Sequence, residues 1–187
     1  MTCGDIDLGC TKCRLSKGRT RVVAGDGPCN SRLVFVGEAP GRDEDQTGVP
    51  FVGSAGRLLD VALGAAGVNR KKVFCTNIVK CRPPDNRRPK KDEVSTCTEL
   101  YLSSELKALR PRVICALGQT ATEYFIELKT NMSEVIGHEI PLTIEDRQVK
   151  LMPSYHPAAV LYQRKKMRDF QKSIAAAVEA AGLARKG

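Results

Sequence analysis

RLVFVGEAPGRDEDQTGVPFVGSAG, residues 32–56, is the stretch whose reading decides the fold. It opens as a short β-branched apolar run without a polar face, as in a strand buried on both sides of a sheet. It then breaks into GEAPGRDEDQTGVPFVGSAG (37–56), where five glycines, two prolines, four acids and a single Phe stand before a Leu-rich helical stretch. Strand, loop and helix in that order open a β–α unit, and the loop is rigid, acidic and aromatic where a plain connection would serve.

The same alternation continues along the chain. Apolar runs at 32–36, 73–79 (VFCTNIV), 112–117 (RVICAL) and 149–152 (VKLM) alternate with helical patterns at 54–66, 92–109, 118–128 and 166–183. This implies an α/β protein with a parallel sheet and helices on both faces. Residues 129–148 hold two candidate short strands and are the least legible part. No internal repeat or domain boundary is visible, so residues 1–187 are expected to form a single domain. In such a sheet ligands bind at the carboxyl ends of strands. GEAPG after the first strand, TN in the second and SYHPAAVL after the last all fall there.

Composition narrows the function. With 42% apolar and 27% charged residues and no low-complexity tract, the 187-residue chain has the makings of a real core. Its apolar runs are too short for a membrane span, and its N-terminus has no apolar h-region, so a mature cytoplasmic protein is expected. The net charge is +9 and the cations are bunched: six in KCRPPDNRRPKK (80–91), five in RKKMRDFQK (164–172), and Arg14, Lys17, Arg19 and Arg21. A single basic run usually solvates a surface. Three runs, two of them beside unusual loops, suit a polyanion, because each cation set on a phosphate releases condensed counterions. A membrane surface fits less well, since no run lies on a Trp/Leu-rich amphipathic helix.

There are eight cysteines. A cytoplasmic chain argues against a disulfide framework. Cys75 and Cys115 sit inside apolar runs and are expected in the core, and Cys3 and Cys29 have no partner at a telling spacing. The remaining four are the CxxC pair Cys10 and Cys13, Cys81 beside a Pro-rich turn, and Cys97. Two residues between thiolates allow both to bind one metal centre, and two distant thiolates complete four-coordination. Solitary distant ligands lean toward iron–sulfur over zinc, and the spacing leaves both open.

Taken together, GEAPG with PFVGSAG (50–56), TNIVKCRPP (76–84) leading to Cys97, and HPAAVL (156–161) resemble the family 4 uracil-DNA glycosylases, the iron–sulfur branch of that superfamily. The resemblance runs from Cys10 to about residue 170. It implies a three-layer α/β/α sandwich around a four-stranded parallel sheet, a 4Fe–4S cluster on Cys10, Cys13, Cys81 and Cys97, and hydrolytic removal of uracil from single- or double-stranded DNA by a monomer.

The chemistry of the residues can be set beside that implication. A base in a duplex must be extruded into a pocket before its glycosidic bond can be reached. Phe51, on a Pro-Phe-Val-Gly turn, would be the stacking floor, although a lone Phe otherwise packs in a core. Asn77 would donate to uracil O4 and accept from N3–H, a pattern cytosine cannot satisfy; Asn at a strand end otherwise forms turns. His156 would stabilise charge on O2 of the departing base, where a His before Pro is otherwise a turn residue. His138 is left as a surface or structural residue. Other branches carry Asp or Asn at the third position of the GEAPG motif, where this chain has Ala39, itself assigned to the uracil pocket. Water handling then falls to Glu38 first and Asn86 second. Glu44 would wall off the 5-methyl of thymine or else be a solvated loop acid. Leu161 would fill the vacated stack, with Arg164, Lys165, Arg82 and Arg87 on the DNA.

Two rivals stand against this. A related branch traps uracil covalently through a His-bearing, Arg-rich insertion; here the corresponding loop, RPPDNRRPKKD, has no His. A nucleotide-binding α/β protein with structural zinc would need GxxxxGK[ST] or a dinucleotide fingerprint, and GEAPGR provides neither.

Overall fold

A computed structural model of the chain describes residues 3–127, 129 and 131–184. Its sheet contains β1 (Leu33–Gly37), β2 (Phe74–Asn77), β3 (Val113–Leu117), β4 (Ile140–Ile144) and β5 (Arg147–Ser154), in the spatial order β2-β1-β3-β5-β4. The first four in that order are parallel, while β4 runs antiparallel to β5. The expected four-stranded parallel sheet is therefore corrected to five strands. The added edge strand comes from the poorly legible 129–148 segment, where β4 alternates partly buried and exposed residues and so carries only half a core signal. The turn at Glu145–Asp146 joins it to β5, which extends beyond 149–152 at both ends.

The central strands are buried at every position, and their side chains alternate between two cores. Leu33, Phe35, Val113, Cys115 and Leu117 face one core, where they meet Leu59 and Leu63 of α2 (Ser54–Ala65), Val160 of α7 (Pro157–Tyr162) and Phe170, Ile174 and Val178 of α8 (Met167–Ala180). Val34, Val36, Ile114 and Ala116 face the other core. That side is covered by α3 (Lys91–Cys97), α4 (Ser103–Leu109) and α5 (Gln119–Ile126), giving three layers. The helix expected over 92–109 is interrupted by a wide π turn at Thr98–Leu102, directly after Cys97. Residue 128 of the helix expected over 118–128 lies outside the described residues. Two short α-helices, α1 (Arg42–Thr47) and α6 (Met132–Val135), are also present among the described residues. Among the described residues, no helix is long and apolar enough to cross a membrane.

After β1 the chain goes to β2 on one side and then crosses to β3 on the other. The sheet therefore reverses direction at β1, and loops leaving the carboxyl ends of β1 and β3 diverge there, opening a crevice.

One pairing departs from expectation. Cys3 and Cys29 form a disulfide, their Cα atoms 5.4 Å apart. Spacing could not show it, because the two cysteines are brought together by the course of the chain between them.

Candidate active site

The crevice is a pocket of about 660 Å³, and Glu38, Ala39, Glu44, Phe51, Asn77, Asn86, Arg87 and His156 all line it. Its main wall is the 37–56 loop. Glu44 does not hang free there: Oε2 accepts from the Gly41 amide at 3.1 Å and Oε1 from the Gly53 amide at 2.9 Å. A loop acid in the sequence is thus the brace that ties both ends of its loop. Phe51, 6% exposed, has a left-handed backbone (φ 56°). Its turn rests on the first turn of α2 because residue 56 is Gly: a Cβ there would stand 1.7 Å from the Phe51 carbonyl oxygen. Arg70 donates to the Pro50 carbonyl at 3.1 Å and places its guanidinium carbon 5.8 Å from the Phe51 ring centroid.

Asn77 ends β2 in register with Gly37 and is 3% exposed. A Cβ on Gly37 would come 2.4 Å from Asn77 Oδ1 and 2.7 Å from Phe51 Cζ, so the glycine lets the amide and the ring meet. Across from them, the His156 ring centroid lies 6.2 Å from that of Phe51. His156 caps α7, and its Nδ1 accepts from the Ala158 amide at 3.2 Å. Desolvation pushes its pKa down to about 4, so at neutral pH the ring is neutral with its proton on Nε2.

Glu38 accepts a short hydrogen bond from the Thr120 hydroxyl on the first turn of α5. Thr120 was missed from sequence, although GQT (118–120) stands at the remaining parallel strand end, which had been assigned no function. Asn86 sits on an exposed turn where Asp85 and Asn86 both have φ 53°, and its Oδ1 accepts from Arg82 Nε at 2.8 Å. Arg87 grips the fully buried Glu93 through two bonds of 2.8 and 2.7 Å, which, ahead of a Lys90 amide bond, hold that carboxylate's pKa down. Arg82 is thus engaged within its own loop, and Arg87 with α3. Leu161 (43% exposed), Arg164 and Lys165 are on the surface, as is His138. Tyr162, also missed, is 89% exposed and lines the pocket.

Cys10, Cys13, Cys81 and Cys97 converge on one small, largely apolar cavity, with Arg19 and Lys80 also on its walls. Burial, with help from neighbouring thiols, pushes the Cys81 thiol up to about 12, and burial pushes Cys97 to about 11. Among the described residues no group of three His, Cys, Asp or Glu side chains is drawn up as a ready site for an ion. Two donors nevertheless suit an anionic sulfur centre. The Lys80 amide donates to Cys97 Sγ at 3.2 Å, and the buried Arg19 Nη1 has no hydrogen-bond partner among the described residues. Cys75 and Cys115 are fully buried in the core.

The strand ends of this α/β sheet thus gather an aromatic ring, a buried amide, a neutral imidazole and a carboxylate around one pocket, beside basic segments. Residues 24–179 match the uracil DNA glycosylase superfamily. The chain is 43% identical to the type-4 uracil-DNA glycosylase of Archaeoglobus fulgidus, over 89% of this chain and 85% of that protein. It is 42% identical to that of Thermotoga maritima, over 83% and 79%. A type-5 uracil-DNA glycosylase of Pyrobaculum aerophilum is 32% identical over 71% and 63%. The chain belongs to the uracil DNA glycosylase superfamily and, within it, to the type-4 uracil-DNA glycosylases.

Proposed function

We propose that this chain removes uracil from DNA by hydrolysing its N-glycosidic bond, leaving an abasic site and starting repair of deaminated cytosine. The extruded uracil lies on Phe51. Asn77 donates its amide to O4 and accepts N3–H at Oδ1, whereas cytosine presents an acceptor at N3 and a donor at N4 and would leave both bonds mismatched. Glu44 keeps the loop closed over the ring, and Ala39 lines the same pocket, so the position of a thymine methyl is walled off.

As the bond between N1 and C1′ breaks, the bonding pair stays on uracil and charge gathers at O2. The Nε2–H of neutral His156 stabilises it there, and the deoxyribose, now oxocarbenium-like, is attacked by water at C1′. Glu38 orients that water, itself held by Thr120; Asn86, on an exposed turn and engaged by Arg82, is the weaker choice. A neutral His156 with Nδ1 already occupied, facing Phe51 in the pocket that holds Asn77, is the observation that carries this reading. Leu161 and Tyr162 form the wedge beside the extruded nucleotide, and Arg164 and Lys165 meet phosphates. Arg87 acts through Glu93 to shape the basic loop.

Membership of the type-4 group supports a 4Fe–4S cluster, which Cys10, Cys13, Cys81 and Cys97 would hold within this single-domain monomer. When bound, the cluster supplies a covalent clamp between the N-terminal segment and residues 80–97. The unpartnered Arg19 Nη1 and the amide on Cys97 support that fit.

The test is release of base from oligonucleotides carrying uracil, thymine or cytosine, read as alkali-labile strand cleavage. Cleavage confined to the uracil strand is expected. Tight uracil-dependent binding without release would replace the enzyme with a damage-binding protein.

A further inference from the structure

Lys80 is completely buried, yet the chemistry above makes no use of its side chain. Its Nζ donates to Thr76 Oγ1 at 2.6 Å, to the Asn77 carbonyl at 2.8 Å and to Glu105 Oε2 at 2.6 Å. Glu105, equally buried, also accepts from Thr76 Oγ1 at 2.8 Å and, through Oε1, from the Gly25 amide at 3.0 Å. Burying an ion pair is expensive, and well-packed apolar residues of the same volume commonly give a more stable fold. Stability alone is therefore a weak reason for the pair to be there.

What it holds suggests a better one. The carbonyl that Nζ grips belongs to Asn77, at the last rung of β2, where the sheet gives way to loop. The clearance around that residue is small, since even a methyl on Gly37 would collide with Asn77 Oδ1. The Lys80 main chain is fixed from the other side: its amide donates to Cys97 Sγ at 3.2 Å, and its carbonyl accepts from the Val23 amide at 2.7 Å. One residue thus spans the distance from the cysteine cavity to the peptide of the base-reading amide.

We propose that Lys80 is a positioning residue for base recognition: its ammonium fixes the Asn77 peptide and so aims the Asn77 amide, and its main chain ties that aim to the cysteine centre. This rests on the reading of Asn77 given under Proposed function. It differs from a structural role in one measurable respect, namely that stability and recognition can be made to move in opposite directions. E105Q leaves the Lys80 bonds to Thr76 and Asn77 in place but strips a buried lysine of its counter-charge, so it lowers Tm. K80M/E105Q removes the buried charge altogether and should raise Tm above that of E105Q.

The experiment measures Tm, together with kcat/KM for uracil and for cytosine in matched oligonucleotides, for the full-length wild-type protein and both variants. E105Q should keep the wild-type preference for uracil within about threefold. K80M/E105Q, though more stable than E105Q, should lose about 10²-fold in kcat/KM for uracil, the scale expected when a recognition group is misplaced by about an ångström, and its preference over cytosine should shrink by at least about tenfold. A K80M/E105Q protein that recovers both Tm and the wild-type preference would overturn the proposal. Should that variant not fold, K80Q/E105Q is measured in its place with the same two outcomes. A wild-type protein that releases no uracil would overturn the functional reading itself, and that result is seen before any variant is made.

Discussion

Replacing His156 with Ala removes the Nε2–H that, in the proposed reaction, faces the departing base. One preorganised donor to a developing anion in a water-excluded site contributes about 3 kcal/mol, so kcat should fall by about 10²–10³-fold while DNA binding persists. The substitution also removes the Nδ1 acceptor for the Ala158 amide at the start of α7, which costs about 1 kcal/mol of stability. His156→Asp restores a capping acceptor and, being ionised, carries no donor, so it should regain Tm but not rate. The assay is single-turnover excision with enzyme in excess, from pH 5 to 8. Because the imidazole pKa is pushed down to about 4, the wild-type rate should show no break near pH 6.5. Stability behaves differently. The folded pKa lies below the unfolded value of about 6.5, so the unfolded chain binds the extra proton and stability falls as pH drops from about 6.5 to 4. The full loss is about 3 kcal/mol from the size of the shift, somewhat less for a ring that solvent partly reaches, and it should be missing in His156→Ala. A His156→Ala rate within threefold of wild type, or a wild-type break near pH 6.5, would refute a neutral donor.

Three further substitutions test other parts of the pocket. Asn77→Asp should raise cytosine excision relative to uracil by about ten- to a hundredfold, the cost range of one mismatched buried hydrogen bond; an unchanged ratio would mean another group reads the base. Gly37→Ala should cost about 10²-fold in kcat/KM, because its Cβ would stand 2.4 Å from Asn77 Oδ1 and 2.7 Å from Phe51 Cζ; a wild-type rate would show that the cup is not closely fitted. Cys81→Ala should abolish visible absorbance from a cluster, lower Tm and weaken DNA binding together, and a stable, fully active variant would refute the clamp between the N-terminal segment and residues 80–97.

The parallel strands and the convergence of GEAPG, TN and SYHPAAVL were legible because buried strands leave unbroken apolar runs and their carboxyl ends gather by topology. Burial of Cys75 and Cys115, and the grouping of the other four free thiols, were legible for a similar reason: apolar context and CxxC spacing are local signals. Less could be read where the decisive partner is distant in sequence. β4 is partly exposed and, among the described residues, pairs only with its hairpin partner. The disulfide of Cys3 with Cys29 depends on where two loops end up. Arg87 reads as a free cation until Glu93 is seen buried beneath it, and Glu44 as a solvated acid until its two backbone amides are found. Thr120 lies in no motif, and Lys80 reads as one more cation of the 80–91 basic run until it is seen fully buried; their importance lies in what they touch.

The most direct measurement is a crystal structure of the protein with uracil and an abasic-site oligonucleotide. The uracil ring should lie against Phe51, with O4 and N3–H on the Asn77 amide and O2 within hydrogen-bond reach of His156 Nε2. A ring bound away from Phe51, or an O2 that meets no imidazole, would contradict the assignment of this pocket to the excision of uracil.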